Sequence, residues 1–116
     1  MDAFIALFDV GFVHRTPDAM LQIVLARQTE SCLIHRHEHG DFGAAGPCQC
    51  VQNLGAIASH HGVIRSVYRL NSGSFVSVET DLDRHETCLR LAAGSAPENA
   101  GGSPMLKGTT PGDMNA

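Results

Sequence analysis

Histidine is the residue type whose clustering in this chain first suggests chemistry. His35, His37 and His39 alternate within five residues, and Asp41 follows them. In a strand the three imidazoles would lie on one face and could bind Zn²⁺. In a helix only His35 and His39 share a face, since residues four apart are neighbours on the helix surface. The order HRHEH also lacks the HExxH zinc motif, so we expect capping and surface roles for these histidines.

The chain has four cysteines, of which Cys48 and Cys50 form a CxC pair. One intervening residue is too few for a standard zinc knuckle, in which two or more residues separate the cysteines. A site that combines Cys48, Cys50 and His37 remains a weaker alternative. The main prediction is free thiols, with no metal and no cofactor, because a reducing cytosol disfavours disulfides.

The segment HEHGDFG is a compact polar motif with two glycines. Its first glycine suits the end of a helix, its aspartate can accept backbone N–H bonds, and its phenylalanine can fill the core. A structural role is the favoured interpretation, and an active-site loop is the alternative. The candidate residues of this segment, called the motif loop below, are His37, Gly40, Asp41, Phe42 and Gly43.

A second polar cluster is the segment TDLDR, which begins at Thr80. Asp81 and Asp83, two residues apart, could bind a cation or act as acid and base. Arg84 beside Asp83 favours another role, a bidentate ion pair that locks a turn between two strands. The sequence therefore predicts a structural turn here and leaves an active site as the alternative.

Protein binding is a further use for this cluster. Its acidic side chains could face the basic nucleic-acid channel of a nuclease, where complementary charge speeds association. An arginine and a histidine dilute that charge, so we do not expect a pure mimic of DNA. The candidate partner-binding residues are Glu79, Asp81, Asp83, Arg84 and Glu86.

Two helices are predicted before the motif loop, from the spacing of apolar residues and from capping residues. The clearest predicted helix has Thr16 as N-cap and Pro17 at its first position. Its predicted apolar face is formed by Met20, Leu21, Ile23, Val24 and Leu25. Ser31 is predicted to cap a second helix, which ends near the glycine of the motif loop.

A third helix is predicted to begin at Pro47 and to end at Gly62, with Gly55 weakening it. Its predicted apolar face is formed by Cys48, Val51, Leu54 and Ile57, with Ala58 beside it.

Beyond Gly62 the apolar period changes from helical to two, which is typical of strands. VIRSVYRL and SFVSVET flank a glycine-containing loop and predict a hairpin, and TCLRLA predicts a third strand. Residues 4–14 predict one or two extended segments. The predicted fold is α+β, with two to three short helices on a three- to four-strand antiparallel sheet. It forms one domain over residues 1–91, and residues 92–116, rich in glycine and proline, are predicted to be a disordered tail.

Composition narrows the function classes. The net charge of −4 and the pI near 5.9 disfavour direct nucleic-acid binding, which needs a stripe of lysine and arginine. No apolar run reaches the roughly 18 residues of a membrane span, and the N-terminus lacks the basic segment of a signal peptide. These features predict a cytoplasmic location and no membrane partner.

Three stretches of the chain, in order, resemble a family of small "plasmid-related" proteins carried by plasmids, phages and integrative elements. The family's second block reads HxxGDWG, and Phe42 replaces its tryptophan here. Its third block reads SxY, a hairpin and TExDR, and Asp81 replaces its glutamate here. The matching residues are Phe8, Gly11, Thr16, Pro17 and Ala19 in the first block, His37–Gly43 in the second, and Ser66, Tyr68, Thr80–Arg84, Thr87 and Leu89 in the third.

The resemblance implies a mobile-element, intracellular origin and no particular reaction. Together with the small size and acidic charge, it favours an accessory protein that binds a host protein complex. An inhibitor of CRISPR interference or of restriction is the leading hypothesis. One alternative is a small metal-dependent or acid/base hydrolase in which His37, Asp41 and Asp83 meet in a cleft. The other is a homodimer formed through an exposed sheet edge.

Overall fold

Three helices and four strands make up the part of the chain that the computed structural model describes, residues 5–92. In chain order they are β1 (Phe12–Arg15), α1 (Pro17–Leu25), α2 (Glu30–Glu38), α3 (Pro47–Ser59), β2 (Val63–Arg69), β3 (Phe75–Asp81) and β4 (Glu86–Ala92). The predicted α+β class, with short helices and a four-strand sheet, is confirmed. Apart from Ala92, the predicted tail lies outside the described residues. No helix within 5–92 is both long and apolar enough to cross a membrane.

The four strands form one sheet in the order β1-β4-β3-β2. The two predicted hairpins are present, because β2 pairs with β3 and β3 with β4, both antiparallel. The first strand differs, since β1 runs parallel to β4, from Phe12 opposite Glu86 to Arg15 opposite Leu89. The sheet is therefore mixed, although most of its pairing is antiparallel.

All three helices cover the same face of the sheet. Ile23 of α1 and Leu33 of α2 belong to one buried cluster with Tyr68 of β2. Ala56 of α3 packs with Ile64 of β2 in a second cluster. Residues 64 and 68 are separated by an even number of positions, so they lie on one face of their strand. No helix of the described chain covers the opposite face.

The predicted N-cap is confirmed for the first helix and wrong for the second. Thr16 caps α1 as predicted, because its Oγ1 accepts a hydrogen bond from the backbone N–H of Ala19 at 3.4 Å. The cap of α2 is Thr29, whose Oγ1 accepts from Cys32 N at 3.2 Å, and not Ser31. The helix begins two residues earlier than predicted, and the charged side chain of Glu30 in its first turn pairs with the guanidinium of Arg15.

The predicted apolar face of α3 is mostly wrong, since Ile57 packs against the second core cluster but the other predicted residues are exposed. Val51 and Leu54 are 71% and 56% exposed, whereas Asn53 and Ala56 are buried. The helix is rotated because the Asn53 side chain bonds to the backbone of β2, as described below. Its end also differs from the prediction, since it stops at Ser59 and the next residue, a histidine, adopts the left-handed conformation with φ 64°.

The predicted apolar face of α1 is only partly buried. Ile23 lies in the core, and Ala19 of the same helix and the C-cap residue Ala26 are buried as well. The large residues predicted to join them are instead exposed, Leu21 by 55%, Val24 by 60% and Leu25 by 61%.

Candidate functional site

The motif loop begins where α2 ends. Gly40 has φ +88°, a conformation that L side chains rarely adopt, so it stops the helix as predicted. Phe42 is buried in the second core cluster, which also confirms its predicted role. The Oδ1 of Asp41 accepts a bond from the backbone N–H of Gly43 at 3.1 Å, which confirms the predicted fastening of the loop.

Gly43 brings the motif loop directly against the outer edge of β2. The N–H of Val67 donates to the carbonyl of Phe42 at 3.1 Å, and the N–H of Ala44 donates to the carbonyl of Val67 at 2.6 Å. Gly43 lies between these two bonds with φ +65°, and a Cβ there would be 2.2 Å from the Val67 oxygen. The loop therefore covers part of an edge that would otherwise be available for pairing with another chain.

Asp41 is held by a residue in the last turn of α2. Its Oδ2 accepts from Arg36 Nε at 2.7 Å, and this bond is the main reason that the pKa of Asp41 lies below its usual range. The Arg36 guanidinium in turn lies 4.5 Å from the ring centre of Tyr68. The Tyr68 hydroxyl donates to the Asp41 carbonyl, and burial raises the pKa of that hydroxyl. The carboxylate thus serves a local ion pair.

His37 is fully buried at the centre of a chain of polar groups. Its Nδ1 lies 2.6 Å from Ser66 Oγ, and its Nε2 lies 2.9 Å from Thr80 Oγ1. The Oγ1 atoms of Thr80 and Thr87 are hydrogen-bonded at 2.6 Å, and the Thr87 hydroxyl donates to the carbonyl of Val10 at 2.6 Å. The chain connects α2, three adjacent strands and the segment before β1.

The donor and acceptor in each of these bonds follow from the last group of the chain, the carbonyl of Val10. A carbonyl only accepts, so the Thr87 hydroxyl donates to Val10 and must accept from Thr80. Thr80 has then used its one proton, so it accepts from Nε2 of His37. The proton of neutral His37 is therefore on Nε2, and Nδ1 accepts from Ser66.

Burial fixes the charge state of His37 as well. Loss of hydration lowers the pKa of His37 to about 4, so the ring is neutral near neutral pH. The edge-to-face contact with Phe8, at 5.1 Å between ring centres, closes its surroundings further. A buried ring with both nitrogens bonded has no position for a substrate, so the arrangement is that of a structural histidine.

Residues from distant parts of the chain meet around His37. Phe8 contributes the ring contact, Ser66 and Thr80 bond its two nitrogens, and Thr87 ends the side-chain part of the chain. One buried network thus connects residues that are far apart in the sequence.

The TDLDR turn is fixed by its aspartates. Asp81 Oδ1 accepts from the backbone N–H groups of Asp83 and Arg84, at 3.1 and 3.2 Å. Asp83 bonds to His61 Nδ1 at 2.9 Å and accepts from Gly62 N at 3.2 Å, and the first of these bonds lowers the pKa of its carboxyl. The turn is structurally fixed as predicted, but by other interactions than the predicted ion pair.

The predicted ion pair between Arg84 and Asp83 is wrong. Arg84 instead lies 3.7 Å from a carboxylate oxygen of Glu86. The physical reason is that Asp83 points towards the end of α3, where His61 and a backbone N–H bind it, while Arg84 lies on the uncovered face.

Four of the five predicted partner-binding residues line one depression of about 230 Å³ on the uncovered face of the sheet. They are Glu79, Asp81, Arg84 and Glu86, and Asp83 is the one that points elsewhere. Their charges are balanced nearby, since Arg65 Nε lies 3.2 Å from Glu79 and Arg90 also lines the depression. The face is therefore charged without being strongly acidic.

The residues of the other predicted combinations bond to separate groups. Among the residues that the structure describes, His37, Asp41 and Asp83 share no hydrogen-bonding partner. The residues of the weaker zinc alternative also have different surroundings. His37 is enclosed by hydroxyl groups, Cys48 is exposed and the Cys50 thiol points to a backbone carbonyl at 3.7 Å.

Asn53 is the buried polar residue that the sequence reasoning missed. Its side chain donates to the carbonyl of Arg65 at 2.8 Å and accepts from the N–H of Arg65 at 2.9 Å. One side chain thereby satisfies both outward-facing backbone groups of a residue on the β2 edge. The signal for it would have been an asparagine three residues before Ala56, on a face that also carries Cys50 and Ile57.

Two parts of the β2 edge are thus covered, one by α3 and one by the motif loop. The predicted homodimer through a sheet edge stays a prediction, and it now concerns β1, the four-residue strand at the other side of the sheet.

Comparison of the chain with protein-family models, with curated proteins and with solved structures finds no match.

Proposed function

We propose that the protein is an accessory factor of a mobile genetic element that acts by binding a host protein complex and inhibits a bacterial defence system of the restriction or CRISPR type. The resemblance of the three sequence blocks supports the mobile-element origin. Binding, as the mode of action, rests on one observation about the surface of α1.

That observation is the apolar stripe of α1, formed by Leu21, Val24 and Leu25. The spacing i, i+3, i+4 places these side chains on one side of the helix. Such a stripe ordinarily faces the core, yet all three side chains are more than half exposed. Contiguous exposed apolar surface is typical of sites where a protein binds another, because burying it on association is favourable.

The charged depression on the other side of the sheet is the second candidate face. Ion pairs such as Arg65 Nε with Glu79, at 3.2 Å, already offset part of the charge there. Removing a paired, hydrated charge from water yields little net affinity, so this face supports partner selection more than it supports tight binding. It stays the prediction made from the sequence, and the experiment below distinguishes the two faces.

A hydrolase receives less support from the geometry. Its three candidate side chains are engaged separately, His37 in the buried chain, Asp41 with Arg36, and Asp83 with His61. Acid and base groups must reach the same substrate, and His37 is fully buried.

The test is a paired binding and protection assay with the full chain. The tagged protein is expressed in bacteria with an active restriction or CRISPR system, and the proteins that copurify with it are identified. In parallel, transformation by a plasmid that the system attacks is counted. We expect copurification of a component of the defence complex and at least a tenfold rise in transformants.

Matched variants identify the binding face. The triple variant L21S/V24S/L25S should lose both effects while its circular dichroism spectrum is unchanged. The control V51S/L54S removes equally exposed apolar residues from α3 and should keep both effects. The variant E79K/E86K reverses charge in the depression and leaves the turn-forming Asp81 and Asp83 intact, and it should also keep them.

Three results would contradict the proposal. Loss of both effects in E79K/E86K alone would move the binding face to the depression. Sedimentation that shows a dimer abolished by L21S/V24S/L25S would make the stripe a self-association surface. Unchanged transformation with no copurifying component would exclude the inhibitor function itself.

A further inference from the structure

The last turn of α2 carries a group of side chains that neither the buried chain nor the charged depression uses. His35, Glu38 and His39 follow the spacing i, i+3, i+4 and therefore lie on one face of the helix end. One potential ligand atom from each residue, two imidazole nitrogens and one carboxylate oxygen, lies within 4.8 Å of the others. The two imidazole rings are 4.2 Å apart between centres and tilted by 38°.

We propose that His35, Glu38 and His39 bind a divalent transition-metal ion, Zn²⁺ being the ion that this ligand set fits best. Two imidazole nitrogens with one carboxylate oxygen are a common zinc set, and they leave a fourth position open. Bonds of 2.0–2.2 Å in a tetrahedron place ligand atoms roughly 3.3 Å apart. Rotation about the side-chain torsions of an exposed histidine and a glutamate closes the remaining gap.

The orientation of His39 supports metal binding independently of the spacing. Its Nδ1 lies 2.7 Å from the backbone carbonyl of His35. Because a carbonyl only accepts, Nδ1 carries the proton, so metal coordination would use Nε2. A metal-binding histidine is ordinarily held in this way, with its second nitrogen donating to a carbonyl or carboxylate.

The backbone under the site is fixed by the end of the helix. His39 is the C-cap residue, and its N–H donates to the carbonyl of Arg36 at 3.3 Å. The carbonyl of Glu38 accepts from Leu7 N at 2.7 Å. Two of the three ligand residues are therefore anchored by main-chain bonds, which reduces the entropy lost when an ion orders the side chains.

The local charge also favours a cation. The positive group on the same helix turn, Arg36, points away from the site, with its Nε 2.7 Å from Asp41 and its guanidinium over the ring of Tyr68. The site contains the Glu38 carboxylate, and the two imidazoles complete the ligand set. The open coordination position would face the surface of α2, where a water molecule or a donor from another protein can occupy it.

Calorimetric titration of the full chain with zinc chloride, in the presence of a phosphine reductant, tests this site. We expect saturable binding of one ion per chain, and at least tenfold weaker binding in H35Q and in H39Q. The control H14Q removes an exposed histidine from β1, and C48S/C50S removes the CxC thiols. Both controls should bind Zn²⁺ as tightly as the unchanged chain.

Cobalt substitution gives a second readout that depends on no variant. The Co²⁺-loaded chain should show the visible bands of a four- or five-coordinate site, without the near-ultraviolet charge-transfer band of a thiolate ligand. A strong thiolate band, loss of binding in C48S/C50S or unchanged affinity in both H35Q and H39Q would overturn the proposal. Absence of saturable one-to-one binding would overturn it as well.

Discussion

At the scale of single residues, the roles of polar side chains are decided by which groups surround them. His37 and Asn53 are both fully buried, and each bonds to groups from elements distant in the sequence. A buried polar group without partners would cost about 1–3 kcal/mol, so such residues fix the register of the elements they connect. The histidine that stands out in the sequence is thus structural, and the asparagine that does not stand out holds a sheet edge.

The buried state of His37 predicts acid sensitivity. Because burial lowers its pKa to about 4, while an unfolded histidine titrates near 6.5, the unfolded state binds more protons between these values. The free energy of unfolding should therefore be highest above pH 6.5 and fall by about 3 kcal/mol as the pH approaches 4. Urea unfolding at pH 7, 6, 5 and 4.5, with a chelator present, measures this change.

Two variants separate His37 from other titrating groups. H37Q keeps a polar side chain without the titration, so it should be less stable at pH 7 but lose less stability on acidification. H14Q, which changes a half-exposed histidine of β1, is the matched control for the loss of one histidine. An equal pH dependence in H37Q would show that another group is responsible.

At the scale of elements, helix ends and helix faces follow different rules. The start of α1 was predictable because capping is a local interaction within three residues. The faces of α1 and α3 were not, since apolar residues occur on more than one side of each helix. Asn53 then determined which side of α3 faces the sheet, through bonds that only the folded chain makes.

The N-cap of α2 gives a direct test at this scale. T29A should lower the free energy of unfolding by about 1 kcal/mol, because it removes the acceptor for the N–H of Cys32. S31A should change it by less than about 0.5 kcal/mol, since Ser31 lies inside the first turn and alanine is the better helix former. Equal losses in the two variants would contradict the observed cap.

The motif loop and α3 offer a matched pair of glycine substitutions. G43A should destabilise the protein by more than about 2 kcal/mol, because its Cβ would be 2.2 Å from the Val67 oxygen at a positive φ. G55A should instead stabilise it by about 1 kcal/mol, because Gly55 lies in α3 with no atom near its would-be Cβ. Thermal unfolding of both variants measures the two opposite shifts, and a stable G43A would show that the loop does not depend on this contact.

At the scale of the whole molecule, residues 5–92 place three helices on one face of a four-strand sheet and leave the other face charged. The parallel pairing of β1 with β4 connects the first strand to the last one and completes the domain. β4 stays paired with β3 to its last residue, Ala92, which lies opposite Phe75. The predicted domain boundary after residue 91 is therefore close to the end of the last strand.

Truncation tests the predicted domain directly. A chain that ends at Ala92 should unfold within about 2 °C of the full chain, since it keeps every described strand and both core clusters. A chain that ends at Cys88 should not fold, because it loses the buried Leu89 from the centre of the core. A large loss of stability on ending at Ala92 would show that residues 93–116 contribute to the fold.

The sequence by itself determined the features that depend on neighbouring residues. Capping residues, glycine stops and period-two strands predicted the α+β class, the start of α1, the end of α2 and the two hairpins. They also predicted that Asp41 fastens the motif loop and that Phe42 fills the core. Each of these features is settled within a few positions of chain, so it can be read without knowing what lies across the core.

Only the tertiary structure decided the features that depend on distant residues. The parallel placement of β1, the exposure of the α1 stripe and the inward turn of Asn53 all follow from which surfaces meet across the sheet. The same is true of the histidines, since the packing of α2 buries His37 against Ser66 and Thr80 and leaves His35 and His39 on the outer side. The three alternating histidines thus have different roles, because folding brings only one face of α2 against the sheet.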